Sequence, residues 1–384
     1  MKIDRNLLIT IQSLLPIQIF IGYCFVISGL FVNLVQLLTW IFIRPFNKKL
    51  YRQLNYHLAT LIWSQLTFLY SWWSNSDLKI YADSKDIDYL RQEYAICLPN
   101  HRYEIDWLVA LVFAQKRGLL GGTKIVGKHS LSLIPVLGWS WFFTESIFLR
   151  RIWENDKKIL ENDIQKLLDN YPDNYCFNIT MTCEGTRYTE TKRLESMKYA
   201  REKNLPELKY HILPRTKGLI MIMQGAKGKI PAVYNFMLGF SKDSAAPKLR
   251  TLLNGHSCKA HMYLKRIPMS EIPYQDDEKC AEWIHKLFQE KDRIYEHFIQ
   301  HDTFDGLGIS QISIPQNYSD LFIQFFWIVT IVIPSLIWLF YFIFNSTLFG
   351  KIIFAIIILI VYMILQWMIS TSVIKTDTKI KKNK

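Results

Sequence analysis

Two short stretches carry residue types that could do chemistry together. The first reads Ile96-Cys97-Leu98-Pro99-Asn100-His101-Arg102-Tyr103-Glu104-Ile105-Asp106-Trp107, an apolar run leading into a histidine and then a carboxylate five residues on. On a regular helix, positions five apart diverge by about 140°, so His101 and Asp106 meet only if the histidine sits in a turn ahead of a helix and the aspartate in its first turns. Pro99-Asn100 supplies that turn. An imidazole held at one nitrogen by a carboxylate can act as a general base at the other, because the carboxylate fixes the tautomer and stabilises the imidazolium. By spacing alone, a structural cap is an equal reading.

The second stretch, Thr182-Cys183-Glu184-Gly185-Thr186-Arg187, follows the apolar run 177–181. A strand running into an acid, a glycine and an arginine is how a loop offers a guanidinium and close backbone amides to an anion. Arg187 can grip a phosphate bidentately, and Glu184 can orient it or accept a hydrogen bond from a hydroxyl. A surface ion pair is the plainer alternative.

The elements that must position these residues alternate. Strands are expected at 94–98, 147–149, 177–181, 210–213 and 230–234, with helical patterns such as 155–170 and 276–301 between them. This alternation points to an α/β domain with a largely buried sheet. Outside it the chain is a membrane protein. Residues 6–43, 321–350 and 352–374 hold no Lys, Arg, Asp or Glu, and about 20 apolar residues cross a bilayer core. Fully helical, 6–43 would run about 57 Å, so one tilted span and a re-entrant pair of shorter helices are both open. It exceeds the apolar core of a cleavable signal peptide. The uncharged stretch 53–76 reads as an amphipathic helix at the membrane interface or as a core helix.

The 384 residues carry a formal charge of +13, which beside membrane segments suits anionic headgroups or anionic soluble ligands; no basic motif calls for nucleic acid. Six cysteines without a C-x-x-C pair indicate neither a zinc site nor a disulfide framework, and fit reduced thiols facing the cytosol. The run Gly122 to His129 is one residue short of a phosphate-binding loop, with His129 where magnesium needs Ser or Thr, and no G-x-S-x-G elbow occurs. His57, His211, His256, His261, His285, His297 and His301 are scattered and read as structural or solvated.

Four blocks in order resemble those of the 1-acylglycerol-3-phosphate (lysophosphatidic acid) acyltransferases, a branch of the glycerolipid acyltransferases. Asn100-His101 with Asp106 is similar to the first block, Ile147-Phe148-Leu149-Arg150-Arg151 to the second, Glu184-Gly185-Thr186-Arg187 to the third and Ile230-Pro231-Ala232-Val233-Tyr234 to the fourth. The stretches 182–192, 211–218 and 25–73 look like the eukaryotic gamma/delta branch, so the likeness covers essentially the whole chain. Bacterial relatives commonly have Phe-Pro where this chain has Thr182-Cys183, and a glycine where it has Glu145. Both departures fall at loop-shaping positions and put acceptor preference, not the chemistry, in question.

The resemblance implies an α/β glycerolipid acyltransferase-like domain, its mostly buried sheet flanked by helices, with membrane helices at both ends. It implies transfer of a fatty acyl group from acyl-CoA, a co-substrate, to the sn-2 hydroxyl of lysophosphatidic acid, giving phosphatidic acid, with no metal or redox cofactor. His101 would be the base and Asp106 its orienting partner. Asn100, Arg151, Glu184, Gly185, Thr186, Arg187 and Pro231 would bind substrate: Arg187 and Arg151 at the acceptor phosphate, Glu184 ordering the site, backbone amides near Gly185 at the thioester oxyanion, and Pro231 in an acyl or glycerol wall. Arg215 and Lys217 would meet CoA phosphates. The expected organisation is a membrane segment over 1–45, a cytosolic acyltransferase domain over 46–320, two spans over 321–374 and a basic tail over 375–384. Arg44, Lys48, Lys49 and Arg52 and the Lys-rich tail put domain and tail in the cytosol by the positive-inside rule, and Lys381-Lys382-Asn383-Lys384 looks like an endoplasmic-reticulum retrieval signal. The competing readings are an acyltransferase for another lysophospholipid and a catalytically silent lipid-binding membrane protein.

Overall fold

The structure, a computed structural model, describes residues 4–356, Leu359 and Met363. Most of the expected second C-terminal span and the whole basic tail lie outside the described residues. Helices α1 (Arg5–Gln12), α2 (Leu15–Phe42) and α3 (Lys48–Phe68) lead in, and α3 runs on through a π-helical turn at Leu69–Trp73. Next come β1 (Asp77–Ala82), α4 (Ser84–Leu90), β2 (Ala95–Leu98), α5 (Asp106–Lys116), β3 (Thr123–Lys128), α6 (Leu137–Phe143), β4 (Ile147–Leu149) and α7 (Trp153–Leu168). The chain continues with β5 (Asn178–Thr180), α8 (Glu190–Glu202), α9 (Thr216–Gly225), β6 (Ala232–Phe240), α10 (Leu249–Leu253), β7 (Lys259–Pro268) and α11 (Asp277–His301). After β8 (Ser310–Ile312), helices α12 (Ser319–Trp327) and α13 (Ile333–Asn345) follow, joined by a π-helical turn at Ile328–Val332 beside Pro334.

The strands form one sheet in the order β4-β3-β5-β2-β6-β7-β1-β8. The five strands from β4 to β6 are parallel, and β7 and β8 supply the antiparallel pairings. Side chains alternate along β2: Ala95 and Cys97 enter the core under α3 and α5, whereas Ile96 and Leu98 enter the one under α7, α9 and α11. A sheet buried on both faces explains why these strands read as continuous apolar runs.

Helix α2 is one unbroken helix, started by Pro16 in its first turn, so 6–43 forms a short helix followed by a long one. Its buried face is polar, with Ser28, Asn33, Gln36 and Thr39, while Val26, Leu30, Leu34, Leu37 and Ile41 point outward. This inverts the pattern of a helix in water and suits a lipid-facing one. The polar stripe bonds to its neighbours: Gln65 Nε2 donates to Ser28 Oγ (2.8 Å), and Asn55 Nδ2 to Thr39 Oγ1 (3.1 Å). Leu15–Phe42 and Ser319–Asn345 are the two helices among the described residues long and apolar enough to cross a membrane. Helix α3, expected either at the interface or in the core, is a core helix: Ala59, Ile62 and Trp63 are fully buried between α2 and α5.

The strand expected at 210–213 is absent. Its amides are claimed by side chains instead: Tyr210 donates to Asp292, Ile212 to Glu184 and Leu213 to Ser196, which leaves no ladder to build. The run resembling a phosphate-binding loop is strand β3. Gly122 is there for closeness, since a Cβ would lie 2.3 Å from the Cys176 carbonyl.

Candidate active site

The site lies at the carboxyl ends of the parallel strands, where open α/β sheets gather their ligands. Strand β2 delivers His101, β5 delivers Glu184 to Arg187, and β4 delivers Arg151. Asp106 is the first residue of α5, so His101 precedes the helix in a turn, as the spacing required. His101 Nδ1 stands 3.2 Å from Asp106 Oδ2, which also accepts the amides of Arg102 (2.7 Å) and Tyr103 (2.8 Å). Burial raises the Asp106 carboxyl above its usual value, opposed by the hydrogen bond and charge of His101 and by those amides. The imidazole is 31% exposed and the carboxylate 7%, so the histidine can meet a ligand and its partner cannot.

Asn100, expected at the substrate, faces inward. Its Nδ2 donates to the Leu238 carbonyl (3.0 Å) and its Oδ1 accepts the Leu238 amide (2.8 Å). The side chain thereby carries the β2–β6 ladder beyond its last backbone pair, Leu98 with Asn235. Glu184 is likewise internal, at 2% exposure: Oε1 accepts the His101 amide (2.9 Å) and Oε2 the Ile212 amide (3.4 Å). Burial raises its carboxyl, and the charge of His211 is the first influence opposing this. The His101 carbonyl accepts the Tyr188 amide (2.8 Å), so both main-chain groups of the histidine are held by the 184–188 loop.

Gly185, at φ 66°, turns that loop, and its amide bonds back to the Thr182 carbonyl at 3.1 Å. That amide is therefore occupied, and any oxyanion donor among the amides near Gly185 is another one. Cations gather around the loop. Arg151, itself at φ 64°, donates from Nη2 to the Gly185 carbonyl (3.1 Å). Arg215, expected at CoA, lies on Gly185, its Cδ 3.1 Å from where a Cβ would be. Lys192, a residue without an expected role, donates from Nζ to Thr186 Oγ1 (2.5 Å) and to the Arg187 carbonyl (3.3 Å). Burial, then Arg187 and Arg151, push its ammonium below the usual lysine range. Among the described residues no hydrogen bond engages the Arg187 guanidinium, so that cation is available to an anion. Lys217, expected with Arg215 at CoA, has its Nζ 5.3 Å from the Trp153 ring centre.

Pro231 does not join the site. It is exposed and precedes β6, four residues before Asn235, the partner of Leu98, and so lies about 13 Å down the strand from the catalytic end. One residue that local sequence could not flag supports the turn from behind. Lys291 is fully buried and donates to the carbonyls of Leu98 and Phe236, both at 2.8 Å; burial brings its ammonium down to about 7. Cys183 is buried and its thiol is pushed up to about 12, which makes it a poor nucleophile. Glu145, where bacterial relatives commonly have glycine, takes φ 60°, and its strain is offset by Arg52, whose Nε lies 2.6 Å from Oε2.

The chain is similar to known proteins. The Acyltransferase family model matches residues 82–234, which contain all four blocks, and the Acyltransferase C-terminus model matches 251–327. The chain is 43% identical over 282 residues, 73% of each chain, to 1-acyl-sn-glycerol-3-phosphate acyltransferase delta of Macaca fascicularis, and 42% identical over the same length to that of Homo sapiens. It is 39% identical over 301 residues, 78% of each chain, to 1-acyl-sn-glycerol-3-phosphate acyltransferase gamma of Homo sapiens. Sequence blocks, sheet and relatives agree, and the chain belongs to the 1-acyl-sn-glycerol-3-phosphate acyltransferase family.

Proposed function

We propose that the protein transfers a fatty acyl group from acyl-CoA to the sn-2 hydroxyl of lysophosphatidic acid, giving phosphatidic acid and free CoA. The observation that carries this reading is the half-exposed His101 held by a buried Asp106, beside unneutralised cations at Gly185. Asp106 keeps the proton on Nδ1, so Nε2 takes the proton of the acceptor hydroxyl as its oxygen attacks the thioester carbonyl. The tetrahedral intermediate collapses by breaking the C–S bond, and the imidazolium returns the proton to the leaving thiolate. The hydroxyl attacks directly, with no acyl-enzyme.

Arg187, Arg151 and Lys192 bind the acceptor phosphate, and Arg215 extends that charge toward the donor. Asn100 and Glu184 serve by position, since their polar atoms are spent on backbone. Two helices long and apolar enough to span, the basic residues after the first of them and the retrieval-like Lys381-Lys382-Asn383-Lys384 support a multi-pass protein of the endoplasmic-reticulum membrane with its active site toward the cytosol, where acyl-CoA arrives and the lysolipid is already in the bilayer. Kinetics of Arg187→Ala test the phosphate assignment. A rise of about tenfold or more in KM for lysophosphatidic acid, with KM for acyl-CoA unchanged, is expected. The reverse pattern would move Arg187 to the donor.

A further inference from the structure

A second histidine and aspartate meet behind the site. His211 Nδ1 lies 2.9 Å from Asp292 Oδ1, and the same carboxylate accepts the amides of Lys209 (2.7 Å) and Tyr210 (2.8 Å). Asp106 receives a matching set, one imidazole nitrogen and two main-chain amides. The order is reversed: the amides follow His101 but precede His211. Unlike His101, His211 is sealed, 3% exposed, with its ring edge-on to Phe288 and Tyr295. It cannot touch a substrate. Burial tends to raise the Asp292 carboxyl, but the bonds from His211, Lys209 and Tyr210 outweigh it and hold it below its usual range.

What this pair fixes is the segment 209–212, and His101, Arg102 and Tyr103 of the catalytic turn are each tied to that segment or to α11. The Ile212 amide meets Glu184 Oε2, whose other oxygen holds the His101 amide. Arg102 donates to the Tyr210 carbonyl (3.1 Å), with its guanidinium 3.9 Å from the Tyr188 ring centre and 5.1 Å from that of Tyr295. The hydroxyls of Tyr103 and Tyr295 are 2.5 Å apart.

We infer that His211 and Asp292 are positioning residues for acyl transfer, clamping 209–212 to α11 and, through Glu184 and Arg102, holding the His101 imidazole at Asp106. The inference rests on His101 being the base. It is tested on the detergent-solubilised full chain with His211→Leu and His211→Asn, the latter retaining a donor for Asp292. His211→Leu is expected to lower kcat about ten- to hundredfold with both KM values within about twofold, because a small misplacement of a catalytic group costs that much. His211→Asn should return to within about threefold of wild type, and adding Glu184→Gln to His211→Leu should cost little more, since both act on one path. Hydrogen exchange at the amides of His101 to Tyr103, followed without substrate, should quicken in His211→Leu and stay slow in His211→Asn. Should His211→Leu not fold, Asp292→Asn carries the same measurements. Wild-type kcat with unchanged exchange, or losses that add fully with Glu184→Gln, would overturn the inference. Quickened exchange in a chain that transfers no acyl group would keep the clamp and remove the base.

Discussion

At the scale of single residues, spent polar atoms separate the side chains that build the site from those available to a ligand. Asn100 has both amide atoms on Leu238, so Asn100→Ala leaves a buried N–H and C=O without partners at about 1–3 kcal/mol each. Chemical denaturation is expected to show a loss of about 2–6 kcal/mol, with KM for lysophosphatidic acid nearly unchanged in the folded fraction. Weakened lysophosphatidic acid binding at full stability would return Asn100 to the substrate. Lys291 gives a pH signature. Its ammonium titrates at about 7 in the fold and near 10.4 in the unfolded chain, so between those values the unfolded chain holds the extra proton. Its contribution therefore makes stability rise as pH climbs from about 7 to about 10, and Lys291→Met should lack that slope when midpoints are measured across the range. The same slope in wild type and variant would assign the titration elsewhere.

At the scale of elements, local pattern was enough where a residue's partner lies nearby in the chain. The His101 turn was legible because Pro99-Asn100 and a helix beginning at Asp106 are both local. The clamp on that turn was not, because Glu184, His211 and Lys291 reach it from elements far along the chain. The run 210–213 has strand composition, yet carboxylates on α11 and β5's following loop take its amides, and tertiary demand overrode propensity. Pro231 was placed by block order alone, and register puts it at the other end of β6. Lys192 sits inside a stretch that resembles the family, but only the fold of α8 back toward Thr186 gives it a partner. Gly121 makes a prediction at this scale. A Cβ there would come 2.1 Å from the Tyr56 carbonyl on α3, which no rotamer can relieve. Gly121→Ala should part α3 from the 120–122 turn and cost about 1–3 kcal/mol in thermal or chemical unfolding; an unperturbed midpoint would mean that α3 does not pack this closely.

At the scale of the whole molecule, α2 links a candidate membrane span to the core. Its outward face is apolar and its inward face bonds to α3, so a helix suited to lipid also packs on the acyltransferase core. Detachment by high salt or alkaline carbonate is not expected, because burial in the bilayer interior, not surface charge, holds such helices. Release of the protein by either treatment would contradict the assignment of Leu15–Phe42 and Ser319–Asn345 as spans. With the acceptor in the bilayer, the proposed reaction needs only a base, its orienting carboxylate and an anion cradle, and His101, Asp106 and the cations at Gly185 meet at the carboxyl ends of the parallel strands in the arrangement it requires. The most direct measurement is acyl transfer by the detergent-purified chain from labelled oleoyl-CoA, offered lysophosphatidic acid, glycerol 3-phosphate and other lysolipids, with His101→Ala beside it. Labelled phosphatidic acid from lysophosphatidic acid, falling about 10²- to 10⁴-fold in a His101→Ala protein that keeps its unfolding midpoint, is the predicted result. Equal transfer by the folded variant, or none to any acceptor by wild type, would contradict it.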